Sequence, residues 1–148
     1  MKILNEVRIS FLSKSANEGF SRIAVSGLVS QLDPQVDELS DIKTAVSEAV
    51  TNAIVHAYNM TVGKIDMTMR ILEGNVVYIR IKDYGCGIPD IKRAMEPLFT
   101  TAPEDERAGL GFAVMESFMD RLTVRSKVGK GTTVVLTKKI KSRRVSDE

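Results

Sequence analysis

The sequence has a single cysteine, a single histidine, no tryptophan and four prolines in 148 residues. With Cys86 alone, an internal disulfide is excluded, and with His56 as the only imidazole there is no Cys/His metal cluster. No apolar run approaches the roughly 20 residues of a membrane span, and the first residues lack the apolar core of a signal peptide. A cytoplasmic protein with no membrane partner is therefore expected. No Gly-x4-Gly-Lys-Ser/Thr string occurs, which excludes a P-loop nucleotide site. Net charge is only +2, and residues 138–148 hold +3 of it, leaving −1 for the rest. That body shows no basic stripe with interleaved aromatics, so direct nucleic-acid binding is not expected. The basic end reads as a solvated tail.

What is present has the length and composition of one globular domain, expected over residues 1–137 with a flexible tail at 138–148. Val7, Ile9 and Phe11 alternate with polar neighbours and predict a strand over 6–13. Ser15 and Glu18 have capping-box spacing, ahead of a helix whose apolar stripe is Phe20, Ile23, Ala24 and Leu28. Asp33-Pro34 is a second helix start. From it Leu39, Ile42, Val46, Ala49, Val50, Ala53 and Ala57 recur at helical spacing, predicting one long helix that ends near Tyr58-Asn59. Residues 64–72 and 77–81 alternate about a Glu73-Gly74-Asn75 turn, a hairpin that delivers Asp83 into Gly85 and Gly87. Residues 96–108 lack periodicity and read as a loop. Gly109-Leu110-Gly111 then opens a helix with Phe112, Met115, Phe118 and Met119 inward. A last hairpin turns at Gly129-Lys130-Gly131. Two early helices, a later one and about five strands indicate an α/β sandwich.

Four patches carry chemistry. Glu48, Asn52 and His56 are spaced by four on one helix and share a face. The amide oxygen of Asn52 suits Mg²⁺, which takes few protein ligands, and the Glu48 carboxylate can accept a proton from an attacking hydroxyl. Taken alone, Glu48 and Asn52 are better read as a solvated helix face, and His56 as packing. Asp83 ends a strand, where a carboxylate can accept a hydrogen bond from an adenine amino group. Gly85 and Gly87 allow close backbone approach there. Gly109 and Gly111 can present amides to phosphate at a helix start, a weak signal in isolation. Cys86 reads as a small filler rather than a reactive thiol.

In their order and spacing the patches resemble the nucleotide-binding boxes of the ATPase and kinase superfamily that includes gyrase, MutL and the histidine kinases. A closer resemblance lies in Leu32-Asp33-Pro34, the run from Glu48 to Tyr58, and Gly87-Ile88-Pro89-Asp90-Ile91. Pro97-Leu98-Phe99-Thr100-Thr101 and Gly129-Lys130-Gly131-Thr132-Thr133 extend it. These look like the anti-sigma-F factors of spore-forming bacteria, over nearly the whole chain apart from its ends. The resemblance implies a Bergerat-type fold, a two-layer sandwich of a mixed β-sheet covered on one face by helices. It implies a dimeric serine kinase that binds a sporulation sigma factor and phosphorylates an anti-anti-sigma protein, using ATP and Mg²⁺. By the same resemblance Glu48 would be the general base, Asn52 the Mg²⁺ ligand, and Asp83 the adenine contact supported by Thr132. Gly85, Gly87, Gly109 and Gly111 would shape the pocket, with Thr100, Thr101 and Arg107 in the lid over the phosphates. Arg22 would contact protein partners. Ala108 stands where relatives can carry a hydroxyl, and Cys86 where a small apolar residue is usual. A stress-response anti-sigma kinase and a nucleotide-gated sigma-binding module with little catalysis are the alternatives.

Overall fold

A computed structural model describes residues 1–95 and 106–141, apart from the side chains of residues 92–93 and 106–110. Five strands form one sheet: β1 (Ile3–Leu12), β2 (Lys64–Leu72), β3 (Val76–Asp83), β4 (Arg121–Lys127) and β5 (Gly131–Lys139). Four helices accompany them: α1 (Ala16–Val29), α2 (Val36–Asn52), the short α3 (Ile91–Ala94) and α4 (Glu106–Phe118).

The sheet order is β1-β2-β3-β5-β4, and all four pairings are antiparallel. The sandwich of one sheet and helices expected from sequence is found, and connectivity gives the antiparallel order of neighbouring strands. The α1–α2 pair is an even number of helical passes, so β2 returns against β1. A single pass through α4 makes β3 and β4 run the same way, but β5 inserts between them. Tight turns close the other two pairs, the β2–β3 turn using left-handed Gly74 (φ 81°) and Asn75 (φ 61°).

Period-two alternation sends Ile65, Met67, Met69 and Ile71 of β2 to the same face as Val77, Ile79 and Ile81 of β3. Ile79 pairs with Leu136 and Ile81 with Val134 of β5, all buried. The helices cover that face, and each fully buried Ile, Leu or Met side chain there contributes about 1.5–3 kcal/mol of transfer free energy. The other face is polar; one cross-strand row reads Arg8, Thr68, Arg80, Val135 and Thr123.

α2 is the central helix. Asp37 and Glu38 in its first turn favour the helix dipole, and Glu38 accepts the Gln35 backbone N–H at 2.9 Å. Ile42, Ala45, Val46, Ala49 and Val50 are its buried stripe. The long helix expected to run to Tyr58 instead changes pitch: Ala53–Ala57 is a π turn, with Tyr58 N–H bonded to the Ala53 carbonyl at 3.1 Å. Such turns insert one residue and are frequent at functional sites.

Other expectations are corrected. Ser15 makes no side-chain cap, its backbone being already helical (φ −57°, ψ −30°), and Glu18 bonds Ser47 and Arg22 instead. In α1 the buried stripe is Ser21, Val25, Leu28 and Val29, whereas Phe20 is 50% and Ile23 72% exposed. The tail does not begin at 138: Lys138 and Lys139 lie in β5, Ile140 is buried, and Lys141 N–H bonds the Glu38 carboxylate at 2.7 Å. The helix expected from Gly109 starts at Glu106.

Candidate functional site

α2 carries Glu48 and Asn52 one turn apart on the side facing α4. A Cβ built on Gly111 would lie 3.1 Å from Asn52 Nδ2, 3.3 Å from Asn52 Oδ1 and 3.4 Å from Glu48 Oε2. Gly111 is therefore inside α4 rather than at its start, and its lack of a side chain lets two helices close on the acid–amide pair. Both polar atoms of the Asn52 carboxamide are buried with no hydrogen-bond partner among the described residues. Native proteins rarely leave such groups unpaired, at a cost of about 1–3 kcal/mol each. A carboxamide oxygen in that state beside a carboxylate is a donor set that fits Mg²⁺ and a phosphate-bearing nucleotide.

The second cluster is built at the end of β3. Asp83 is 6% exposed, and its Oδ1 accepts the Gly85 N–H at 3.0 Å and the Thr132 N–H at 3.1 Å. Both amides share one oxygen, so Oδ2 is left to address a ligand. Burial is the main influence that pushes the Asp83 carboxyl above its usual range, and the two amides partly offset it. Gly85 packs on the Ala57 carbonyl, where a Cβ would overlap. Gly87, at φ 79°, lies against the Lys127 carbonyl.

Two residues not singled out from sequence, Tyr58 and Ser126, hold this loop together with Cys86. The Tyr58 hydroxyl accepts the Tyr84 N–H at 2.6 Å and donates to the Lys64 carbonyl at 2.6 Å. The Ser126 hydroxyl accepts the Ile88 N–H at 2.7 Å and touches Thr132 Oγ1 at 2.7 Å. Cys86 donates its N–H to the Ala57 carbonyl and accepts the Gly129 N–H, and its thiol lies 3.4 Å from the His56 carbonyl. Ser126 was findable: it is the polar member of the inward series Leu122, Val124, Ser126 on β4. Tyr58 gave no signal beyond lying near the end of the long helix.

The π turn joins the clusters, because Asn52 precedes it and Ala57 ends it against Gly85 and Cys86. It also takes His56 out of the i,i+4 register with Asn52 that was read from spacing. Glu48, Asn52 and Gly111 thus come together, as do Asp83, Gly85 and Thr132. Thr100 and Thr101 lie outside the described residues, as do the Arg107 side chain and the surroundings of Gly109. Arg22 is elsewhere, exposed on α1, with its Nε 3.1 Å from Glu18.

Residues 20–138 match the family model described as a histidine kinase-like ATPase domain. The anti-sigma F factor of Geobacillus kaustophilus is 54% identical over 136 residues, covering 92% of this chain and 93% of that one. That of a Thermoanaerobacter species is 52% identical over 142 residues, covering 96% and 99%. Among solved structures, the RsbU and RsbW domains of a Mycobacterium tuberculosis protein superpose with a TM-score of 0.66 at 18% identity. They cover 92% of this chain, which spans 32% of that longer one. A histidine kinase domain from Erythrobacter litoralis gives 0.59 at 19% identity, covering 88% and 65%. These two show the fold. The curated relatives and the family model show that this chain belongs to the anti-sigma F factor family, built on a histidine kinase-like ATPase domain.

Proposed function

We propose that this chain is a protein-serine kinase that also binds and inhibits a sporulation sigma factor. In this reading it works as a homodimer in the cytoplasm and phosphorylates an anti-anti-sigma protein on serine with Mg-ATP. The observation that carries the reading is the acid–amide pair on α2, with the Asn52 carboxamide buried, without a partner among the described residues, and facing Gly111 where a Cβ would crowd it. Mg-ATP, when bound, supplies the transferable phosphoryl group and the charge that neutralises it.

The chain's own residues do the rest. Glu48 takes the proton of the substrate serine hydroxyl, and Asn52 offers its amide oxygen to the metal. Asp83 accepts from the adenine amino group through Oδ2, while Thr132 and the Gly85 amide hold Oδ1 in place. Gly85 and Gly87 bring backbone close to the base. By resemblance Arg107 is assigned to the terminal phosphates, Thr100 and Thr101 to the nucleotide, and Gly109 to the shape of its pocket. Arg22, exposed and oriented by Glu18, is the partner contact. Exposed Phe20 and Ile23 on α1, beside the open edge strand β1, support pairing of two copies. The sigma-factor partner is read from the name of the relatives, and the anti-anti-sigma partner from the resemblance alone.

The test is incubation with Mg²⁺, ATP labelled on its terminal phosphate, and the candidate anti-anti-sigma protein. Acid-stable label on one serine, lowered by roughly 10²–10⁴-fold in Glu48→Gln, is expected. Free phosphate without labelled protein would make the chain an ATPase instead, and an unaffected Glu48→Gln would remove Glu48 from the chemistry.

A further inference from the structure

The sheet face that no described helix covers carries charge that the nucleotide site does not use, and it divides in two. On the β1–β2 half the cations have carboxylates beside them: Glu6 pairs with Arg8 at 2.9 Å and with Arg70 at 2.5 Å, and Asp66 with Lys64 at 3.7 Å. On the β3–β5–β4 half the register places Arg80, Lys82, Arg121, Arg125, Lys127 and Lys139 on one side of the sheet; no outward position of these three strands is acidic, and the one carboxylate at the boundary is Asp66 of β2, opposite Lys82. None of these six forms an ion pair with a described residue. Asp120, just before β4, is already bonded to the Lys139 backbone amide at 2.7 Å. With a formal net charge of +2 for the whole chain, six cations here leave −4 elsewhere. The charge is segregated onto this face.

Its shape narrows the ligand. β5 runs down the middle with short, half-buried Thr133, Val135 and Thr137. Arg80 and Lys82 flank it on β3, and Arg121, Arg125 and Lys127 on β4. Strands are about 4.8 Å apart, so the two cationic rails stand roughly 10 Å apart. That is the breadth of one helix or one extended segment, about 10–12 Å with side chains. Nor does this half offer a free base-stacking platform: Tyr78 has the Arg70 guanidinium 5.0 Å over its ring, and Tyr84, just past β3, has Lys82 at 5.0 Å and its hydroxyl on Asp66. An apolar and hydroxyl-bearing centre with a charged rim is the anatomy of a protein interface.

We propose that the β3–β5–β4 half of the open sheet face docks an acidic polypeptide segment of a protein partner, seated along β5 with carboxylates reaching the cations on both sides. The face lies across the sheet from α2, so it can be occupied together with the nucleotide site. It is also distinct from the α1 surface that carries Arg22.

The test titrates the full chain with a labelled glutamate-rich peptide at roughly 0.1 M salt, with backbone amide shifts recorded by NMR. Shifts centred on Thr133, Val135 and Thr137 are expected. Affinity should fall about tenfold or more in the double variant Arg121→Glu/Arg125→Glu, both exposed positions. The matched double variant Lys14→Glu/Lys43→Glu on the helical side should change it less than about twofold. Should the first variant fail to fold by far-UV dichroism, Arg125→Gln alone is expected to weaken binding about threefold. Equal losses in both double variants, or shifts away from β5, would overturn the proposal. So would a single-stranded oligothymidylate that displaces the peptide and binds more tightly.

Discussion

Replacing Gly111 with alanine separates what the fold needs from what the site needs. Gly111 lies inside α4, where Gly→Ala gains about 1 kcal/mol of helix stability. The same methyl would stand 3.1 Å from Asn52 Nδ2 and 3.4 Å from Glu48 Oε2. Ordinary contact begins near 3.4 Å, so the Asn52 carboxamide must move by about 0.3 Å. A misplacement of 1 Å costs about 10²-fold in rate, so a third of that corresponds to about fourfold. Mg²⁺ demands near-ideal octahedral geometry, which makes fourfold a lower bound. Gly111→Ala is therefore expected to raise the urea midpoint, or leave it unchanged, while lowering phosphoryl transfer by about fourfold or more. Urea unfolding followed by dichroism and single-turnover transfer at saturating Mg-ATP measure the two sides. Unchanged transfer with raised stability would refute the reasoning, since Asn52 and Glu48 would then tolerate displacement.

Three further outcomes follow from the second cluster. Burial raises the Asp83 pKa, so ionising this group costs the folded state. Its favourable share is full below the ordinary carboxylate range and is lost as pH rises through the raised folded value. Asp83→Asn keeps the shape and removes that dependence, so its urea midpoint should gain on the wild type between acid and neutral pH; parallel curves would contradict this. Gly85→Ala places a methyl on the Ala57 carbonyl and should destabilise by about 1–3 kcal/mol, read from the urea midpoint. Ser126→Ala leaves the Ile88 N–H without its partner and should cost about 1 kcal/mol. It should also loosen nucleotide binding through Thr132, which calorimetry would detect.

Much of the fold was legible because periodicity reports burial directly. The β2–β3 hairpin, the apolar stripe of α2 and the buried members of α4 follow from alternation and i,i+4 spacing alone. α1 was misread because Phe20 and Ile23 fit a helical stripe as well as Val25 and Val29 do, and only the packed partner decides which side is covered. The π turn at Ala53–Ala57 was invisible because its residues continue the same apolar pattern. Within the site, Glu48, Asn52, Asp83 and the glycines could be picked out as residue types at suggestive spacings. What joins them could not. Tyr58 and Ser126 act by hydrogen bonds to backbone distant in sequence, and Gly111 acts by close approach rather than by a helix-end amide. The cationic face was illegible for a similar reason. Its members alternate with core residues on three strands, so no contiguous basic stripe appears.

The central claim is that the two clusters act on one nucleotide with separate roles, Asp83 in holding it and Glu48 in transfer. Calorimetric titration of Mg-ATP into the wild type, Asp83→Asn and Glu48→Gln tests it most directly. Affinity is predicted to drop by about tenfold or more in Asp83→Asn, through loss of a hydrogen bond to a charged group, and to remain within about threefold of wild type in Glu48→Gln. Equal affinity in Asp83→Asn and the wild type would contradict the account.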